Sequence, residues 1–155
     1  MTQHLFIHIG YHKTATTWMQ RLLFVPGHGY YPLAKHDQIF DTIIAPHGLS
    51  FDPGPMRRII ASGLEKVPET SVPVLSSELL CGNPFFGGRE SDVYAERLKA
   101  IAPDARILIS IRAQLQTLPS IYMQYLSRGG TMSCKQFFEG KSWRGYFNFD
   151  ASHFE

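Results

Sequence analysis

The chain predicts an α/β fold with a central parallel sheet flanked by helices, and three observations carry that expectation. Three short apolar runs rich in β-branched residues, at 5–9, 72–75 and 106–111, read as buried strands. The stretches between them are long enough for crossover helices and show helical spacing, which implies βαβ units and parallel pairing. No internal repeat, charge block or long Gly/Ser- or Pro-rich linker divides the 155 residues, so 1–155 reads as one domain.

The elements follow in order. After the first strand come residues 10–13 as a loop, then a helix from Thr14 or Thr16 to about Phe24. The turn residues of PGHGYYP make 26–32 a loop. Residues 35–44 read as a helix ended by Pro46, and Gly54-Pro55 opens another that runs to about Lys66, because proline is tolerated in a first turn. The second strand is followed by a loop at 83–88, and Ser91 is the expected N-cap of a helix over 92–102. Residues 114–128 are helical in pattern, kinked or restarted at Pro119. Gly129-Gly130 ends that helix, and short helix and loop follow.

Composition excludes several classes. With 44% hydrophobic residues and eleven Phe, the chain is neither disordered nor of low complexity. No apolar run approaches the length of a membrane span, and residues 1–13 lack the pattern of a signal peptide, which makes a cytoplasmic location the expectation. Fifteen Lys+Arg against thirteen Asp+Glu are too balanced for a nucleic-acid field. Cys81 and Cys134 stand apart and read as reduced thiols, and His4 and His8, on one strand face, read as core without a third ligand for a metal. The Met, Phe and Tyr residues of 120–126 and Phe137-Phe138 read as core or pocket wall, and Arg57-Arg58 as a solvated face.

In parallel sheets ligands gather at the carboxyl ends of strands, so the residues after each strand matter most. After the first comes Gly10-Tyr11-His12-Lys13-Thr14-Ala15-Thr16-Thr17-Trp18. A strand entering a tight loop and a helix start supplies unpartnered N–H groups and partial positive charge, to which Lys13 adds a full charge and Thr16 and Thr17 add hydroxyls. That is an anion cradle suited to phosphate. It departs from the Walker A pattern, because Lys13 precedes the Thr pair instead of following a glycine.

Lys13-Thr14-Ala15-Thr16-Thr17-Trp18 resembles the 5′-phosphosulfate loop of sulfotransferases that use 3′-phosphoadenosine-5′-phosphosulfate (PAPS), with Ala15 where glycine is usual. The resemblance implies a three-layer P-loop-like fold. It implies that Lys13, Thr16 and Thr17 hold the 5′-phosphate and sulfate, with Thr14 and Ala15 in the same loop, and that Trp18 packs on adenine; a core role competes for Trp18. At the end of the third strand stands Arg112, with Ser120 eight positions on. The same family carries an Arg and a Ser at this spacing, which implies that the pair binds the 3′-phosphate. A P-loop ATPase or kinase would place an Asp there for Mg²⁺, and arginine cannot ligate a metal. The expected co-substrate is therefore PAPS, without a metal.

Transfer of a sulfuryl group needs a base for the acceptor proton and positive charge on the leaving oxygen. Glu78, just beyond the second strand, is the expected base and Lys13 the expected cation. His12, inside the loop, and His36 are the rival bases. The expected activity is transfer of sulfuryl from PAPS to a hydroxyl or amine on a small molecule, sugar or lipid. The alternatives are a P-loop nucleotide kinase or NTPase, and a non-catalytic nucleotide-binding fragment. The resemblance covers roughly residues 4–128 and only the N-terminal part of a usual sulfotransferase domain, so the fold is expected to be incomplete at the C-terminus.

Overall fold

The computed structural model describes residues 4–83, 88 and 90–139. Its centre is a four-stranded, all-parallel sheet of β1 (Phe6–Gly10), β2 (Tyr30–Pro32), β3 (Val72–Ser76) and β4 (Arg106–Ser110), in the order β2-β3-β1-β4. Helices α1 (Thr16–Trp18), α2 (His36–Ile39), α3 (Gly54–Leu64), α4 (Ser91–Ile101), α5 (Gln114–Ser127) and α6 (Cys134–Glu139) complete the described chain. The fold is thus α/β, with a parallel sheet flanked by helices.

β2 corrects the reading of 26–32 as loop only. Gly29 turns the chain at a φ of 77°, and Tyr30 and Tyr31 then extend beside Val72 and Pro73. β2 lies at the sheet edge, where Pro32 removes no needed donor. Pro73 lies in an interior strand, but pairing of β3 with β1 starts one residue later, at Phe6↔Val74. Two helices are also shorter than their periodicity suggests. α1 passes into a π-helical turn over Met19–Leu23, and α2 into another over Phe40–Ile44. Pro119, by contrast, does not divide α5. The loop expected at 83–88 and the terminal residues 140–155 fall largely outside the described residues.

One sheet face carries the main core. Ile7 of β1 and Leu75 of β3 are fully buried against Ile39 and Ile43, Met56 and Ile60 of α3, and Leu98 and Ile101 of α4. Arg97 ties α4 to this layer, because its guanidinium donates to the carbonyls of Ile43 and Pro46 and lies over the Phe51 ring. Arg57 and Arg58 are exposed, as the solvated-face reading expects, and from that face Arg57 donates to the Ala100 carbonyl near the end of α4. A second, smaller cluster joins Ile121 and Phe137 with Leu118, Tyr122, Tyr125 and Phe138. The aromatics of α5 and α6 therefore pack on each other, as the core reading of them expects. Among the described residues, no helix is long and apolar enough to cross a membrane.

The order of strands decides where a ligand can sit. The connection leaving β1 runs toward β2 at one edge, and the connection leaving β3 runs toward β4 at the other. The direction of travel across the sheet therefore reverses between the neighbouring strands β1 and β3. A crevice opens outside the carboxyl end of a strand at such a reversal. The loop after β1 occupies that place.

Candidate functional site

A cleft of about 570 Å³ lies over the carboxyl ends of β1, β3 and β4, and His12, Lys13, Thr14, Ala15, Thr16, Thr17, Glu78, Ile111, Arg112 and Gln124 line it. Three segments far apart in the chain thus converge on one space.

The loop begins at Gly10, which has no room for a side chain: a Cβ there would lie 1.9 Å from Thr16 Cγ2 and 2.9 Å from Ser110 Oγ. The chain then folds back tightly, with Thr14 N–H donating to the Tyr11 carbonyl at 3.3 Å. Lys13 and Ala15 both adopt left-handed backbone, at φ 65° and 62°. For residues with a Cβ this costs about 1–2 kcal/mol each. Such strain persists where surrounding contacts over-determine it, and it concentrates at binding sites. Ala15 stands where the resembling family has glycine, and its φ is the kind glycine adopts freely.

Thr16 is buried at the start of α1, and its hydroxyl donates to Glu78 Oε2 at 2.6 Å. Glu78 opens a 3-10 turn over Glu78–Cys81, whose first N–H groups are capped by Ser77, with Leu79 N–H donating to Ser77 Oγ at 3.2 Å. The candidate base is thereby fastened to the anion loop by its own carboxylate. Across the cleft, Arg112 Nη1 donates to the Lys13 carbonyl at 3.2 Å and Nε to Gln116 Oε1 at 3.3 Å. The arginine thus reaches back 99 residues to clasp the loop.

His12 lies in the loop but is buried, with Nε2 at 3.0 Å from the Gly82 carbonyl. Burial lowers its pKa below the ordinary histidine value. The Gly82 carbonyl and Glu78 act against that shift, while the charges of Arg128 and Lys13 reinforce it. The ring therefore braces the loop against the segment after β3, with one nitrogen committed to the backbone. Trp18 is 55% exposed, which removes the core role for it and leaves an aromatic face beside the loop. It does not line the cleft, and neither does Ser120, whose hydroxyl donates to the Gln116 carbonyl at 3.2 Å within α5. His36 lies elsewhere, lining a separate cavity of about 150 Å³ with Gln20, Phe24 and Ser76.

Sequence reasoning missed Gln116, Gln124 and Arg128. Part of the signal was present: Gln116, Ser120 and Gln124 recur every four residues within α5, with Arg112 just before the helix and Arg128 just after it. Arg112 and Gln124 line the cleft, Gln116 holds Arg112, and Arg128 is felt by His12. Among the described residues no group of three or more His, Cys, Asp or Glu side chains is arranged to hold a metal ion. Comparison with known proteins adds no relative: no protein family, no curated protein and no solved structure matches the chain.

Proposed function

We propose that the chain is a PAPS-dependent sulfotransferase domain that passes a sulfuryl group to a hydroxyl or amine by in-line transfer. One observation carries the reading: the Glu78 carboxylate is hydrogen-bonded to Thr16 of the anion loop and lines the same cleft as Lys13 and Arg112. A proton acceptor and two cations thus share one space of a size that takes a nucleotide.

In this reading Lys13 and the N–H groups opening α1 hold the phosphosulfate. The acceptor oxygen or nitrogen attacks sulfur from the far side. As that bond forms, the bond from sulfur to the bridging phosphate oxygen breaks. Lys13 offsets the charge growing on the leaving 5′-phosphate. The acceptor's proton passes to Glu78, whose Oε1 remains for it while Oε2 is held by Thr16. Arg112 contributes positive charge at the nucleotide end of the cleft, with the 3′-phosphate as its partner. Ser120 joins it there only with a change in its present hydrogen bond to Gln116.

Calorimetric titration with 3′-phosphoadenosine-5′-phosphate (PAP), set against ADP with Mg²⁺, tests the reading. Wild type should prefer PAP. Arg112→Ala and Lys13→Ala should each weaken it by about 10- to 100-fold, the worth of hydrogen bonds to charged groups. Preference for ADP–Mg²⁺, or indifference to both substitutions, sinks the assignment. For the base, Glu78→Gln should abolish sulfate transfer while PAP affinity stays near wild type.

A further inference from the structure

The strained loop has a support that the proposed chemistry does not use. His8, in the middle of β1, is fully buried with both ring nitrogens engaged: Nδ1 lies 2.8 Å from Ser76 Oγ on β3, and Nε2 lies 3.1 Å from Ser110 Oγ on β4. Ser110 Oγ in turn lies 2.9 Å from Thr14 Oγ1, and the Thr14 hydroxyl donates to the Tyr11 carbonyl at 2.5 Å. These contacts cross the sheet from β3 through β1 to β4 and rise into the loop.

Counting protons fixes the direction of every link. A hydroxyl has one proton to donate. The proton of Thr14 goes to Tyr11, so Ser110 must donate to Thr14. The proton of Ser110 is then spent, so His8 Nε2–H must donate to Ser110. Neutral imidazole carries one N–H, so Nδ1 accepts from Ser76. The tautomer of His8 is thereby set by a carbonyl in the loop. Around the ring lie Phe6, Phe24, Tyr30, Val72, Val74 and Leu108, with Phe24 tilted against it at 5.0 Å. Tyr30 is the one titratable side chain in that wall, and the others are apolar. Burial also holds the imidazole below its ordinary pKa, in keeping with a neutral ring.

Thr14 sits between the two residues with left-handed backbone, Lys13 and Ala15. We infer that His8 is a positioning residue, which acts through Ser110 to pin Thr14 and so hold Lys13 and Thr16 at the cleft. The inference rests on the proposed reading of that cleft as an anion site. It assigns the Thr14 hydroxyl an inward structural role and leaves contact with the anion to its neighbours. It also gives a purpose to Ser76 and Ser110, which stand two residues beyond the apolar Val74 and Leu108 on the same face of the sheet.

Two measurements test it, and the first needs no ligand. Long-range ¹H–¹⁵N correlation on the wild-type chain should show His8 as the Nε2–H tautomer at neutral pH. In Ser110→Ala the backbone amides of residues 13–16 should shift, while those of Leu75 and Leu98 stay in place. His8→Gln, whose amide can donate to Ser110 and accept from Ser76, should keep the wild-type loop signals, and His8→Leu should lose them. An Nδ1–H tautomer, or loop amides unmoved in Ser110→Ala, overturns the inference whether or not His8→Leu folds. In the second, Ser110→Ala should raise the Kd for PAP about tenfold, equivalent to ~1.4 kcal/mol, and His8→Gln should stay near wild type. Unchanged PAP affinity in Ser110→Ala also overturns it. If wild type fails to bind PAP, the functional reading falls, and the amide measurement still decides the role of His8.

Discussion

The layer formed by β1, α2 with its π-helical turn, β3, α3 and α4 and the arm formed by β4, α5 and α6 differ in how they hold the cleft. In the first, Ile7, Ile39, Ile43, Met56 and Leu75 are wholly removed from solvent. In the second, Ile109 is 53% exposed and Ile111 78%, and α5 and α6 bury mainly their own small cluster around Ile121 and Phe137. Lys13, Thr16 and Glu78 hang from the first region; Arg112 and Gln124 hang from the second. The anion loop and the candidate base are thus set on a packed platform. The arginine reaches them from a strand bonded to β1 along one edge. In the proposed reading, rigidity is thereby placed where a small anion and a proton must be held to within fractions of an ångström.

Cutting into each region separates them most sharply. Leu75→Ala should cost about 2–5 kcal/mol, as a fully enclosed leucine does. Ile109→Ala should cost about 1 kcal/mol or less, since much of its surface already meets water. Urea unfolding midpoints measure both, and equal losses would erase the distinction. Next in size is Gly10→Ala, where the loop has no space for the methyl group. It should destabilise by about 1–3 kcal/mol. PAP affinity should fall with it, because the clash is with Thr16 itself.

Acid should act through the platform. His8 and His12 both titrate below the ordinary histidine value because burial disfavours their charged forms. The unfolded chain therefore binds protons at higher pH than the folded one. Stability from these rings is full above the unfolded pKa of about 6.5 and declines as pH falls below it toward the folded values. Thermal melts from pH 7.5 to 5 should show that decline, and His8→Gln should shrink it. A flat profile in wild type would contradict the burial of both rings. The smallest effect is expected of Ala15→Gly. Relief of left-handed strain, about 1–2 kcal/mol, is set against glycine's backbone entropy, about 0.5–1 kcal/mol. The variant should be neutral to slightly more stable in the same melts.

Much of this was legible in the string of residues. Apolar runs mark the strands β1, β3 and β4. For β1 and β3 the reason is burial, since a parallel strand covered on both faces must be apolar along its length. β4 corrects the expectation of a third buried strand, because residues 106–109 are exposed among the described residues. Gly10, the Lys13 run and Glu78 stand where strands end, which is where a parallel sheet exposes its ligand-binding edge. β2 was hidden, because three residues ending in proline carry too little pattern to outweigh the turn residues around them. Its strand character comes from pairing with β3, a contact more than forty residues away in sequence. The side-chain contacts were hidden for the same reason. Ser76, His8, Ser110 and Thr14 are ordinary polar residues until the sheet register aligns them, and that register depends on apolar packing elsewhere. Trp18 was ambiguous in sequence, since an aromatic serves a core or a ligand equally well; only its exposure separates the two. Local chemistry therefore specified most of the elements and placed a strand-to-helix loop with Lys13 at the ligand-binding edge of the sheet. Which groups meet, which proton each hydroxyl gives and which helix face closes the cleft were decided by long-range packing, because those contacts join residues that no local interaction brings together.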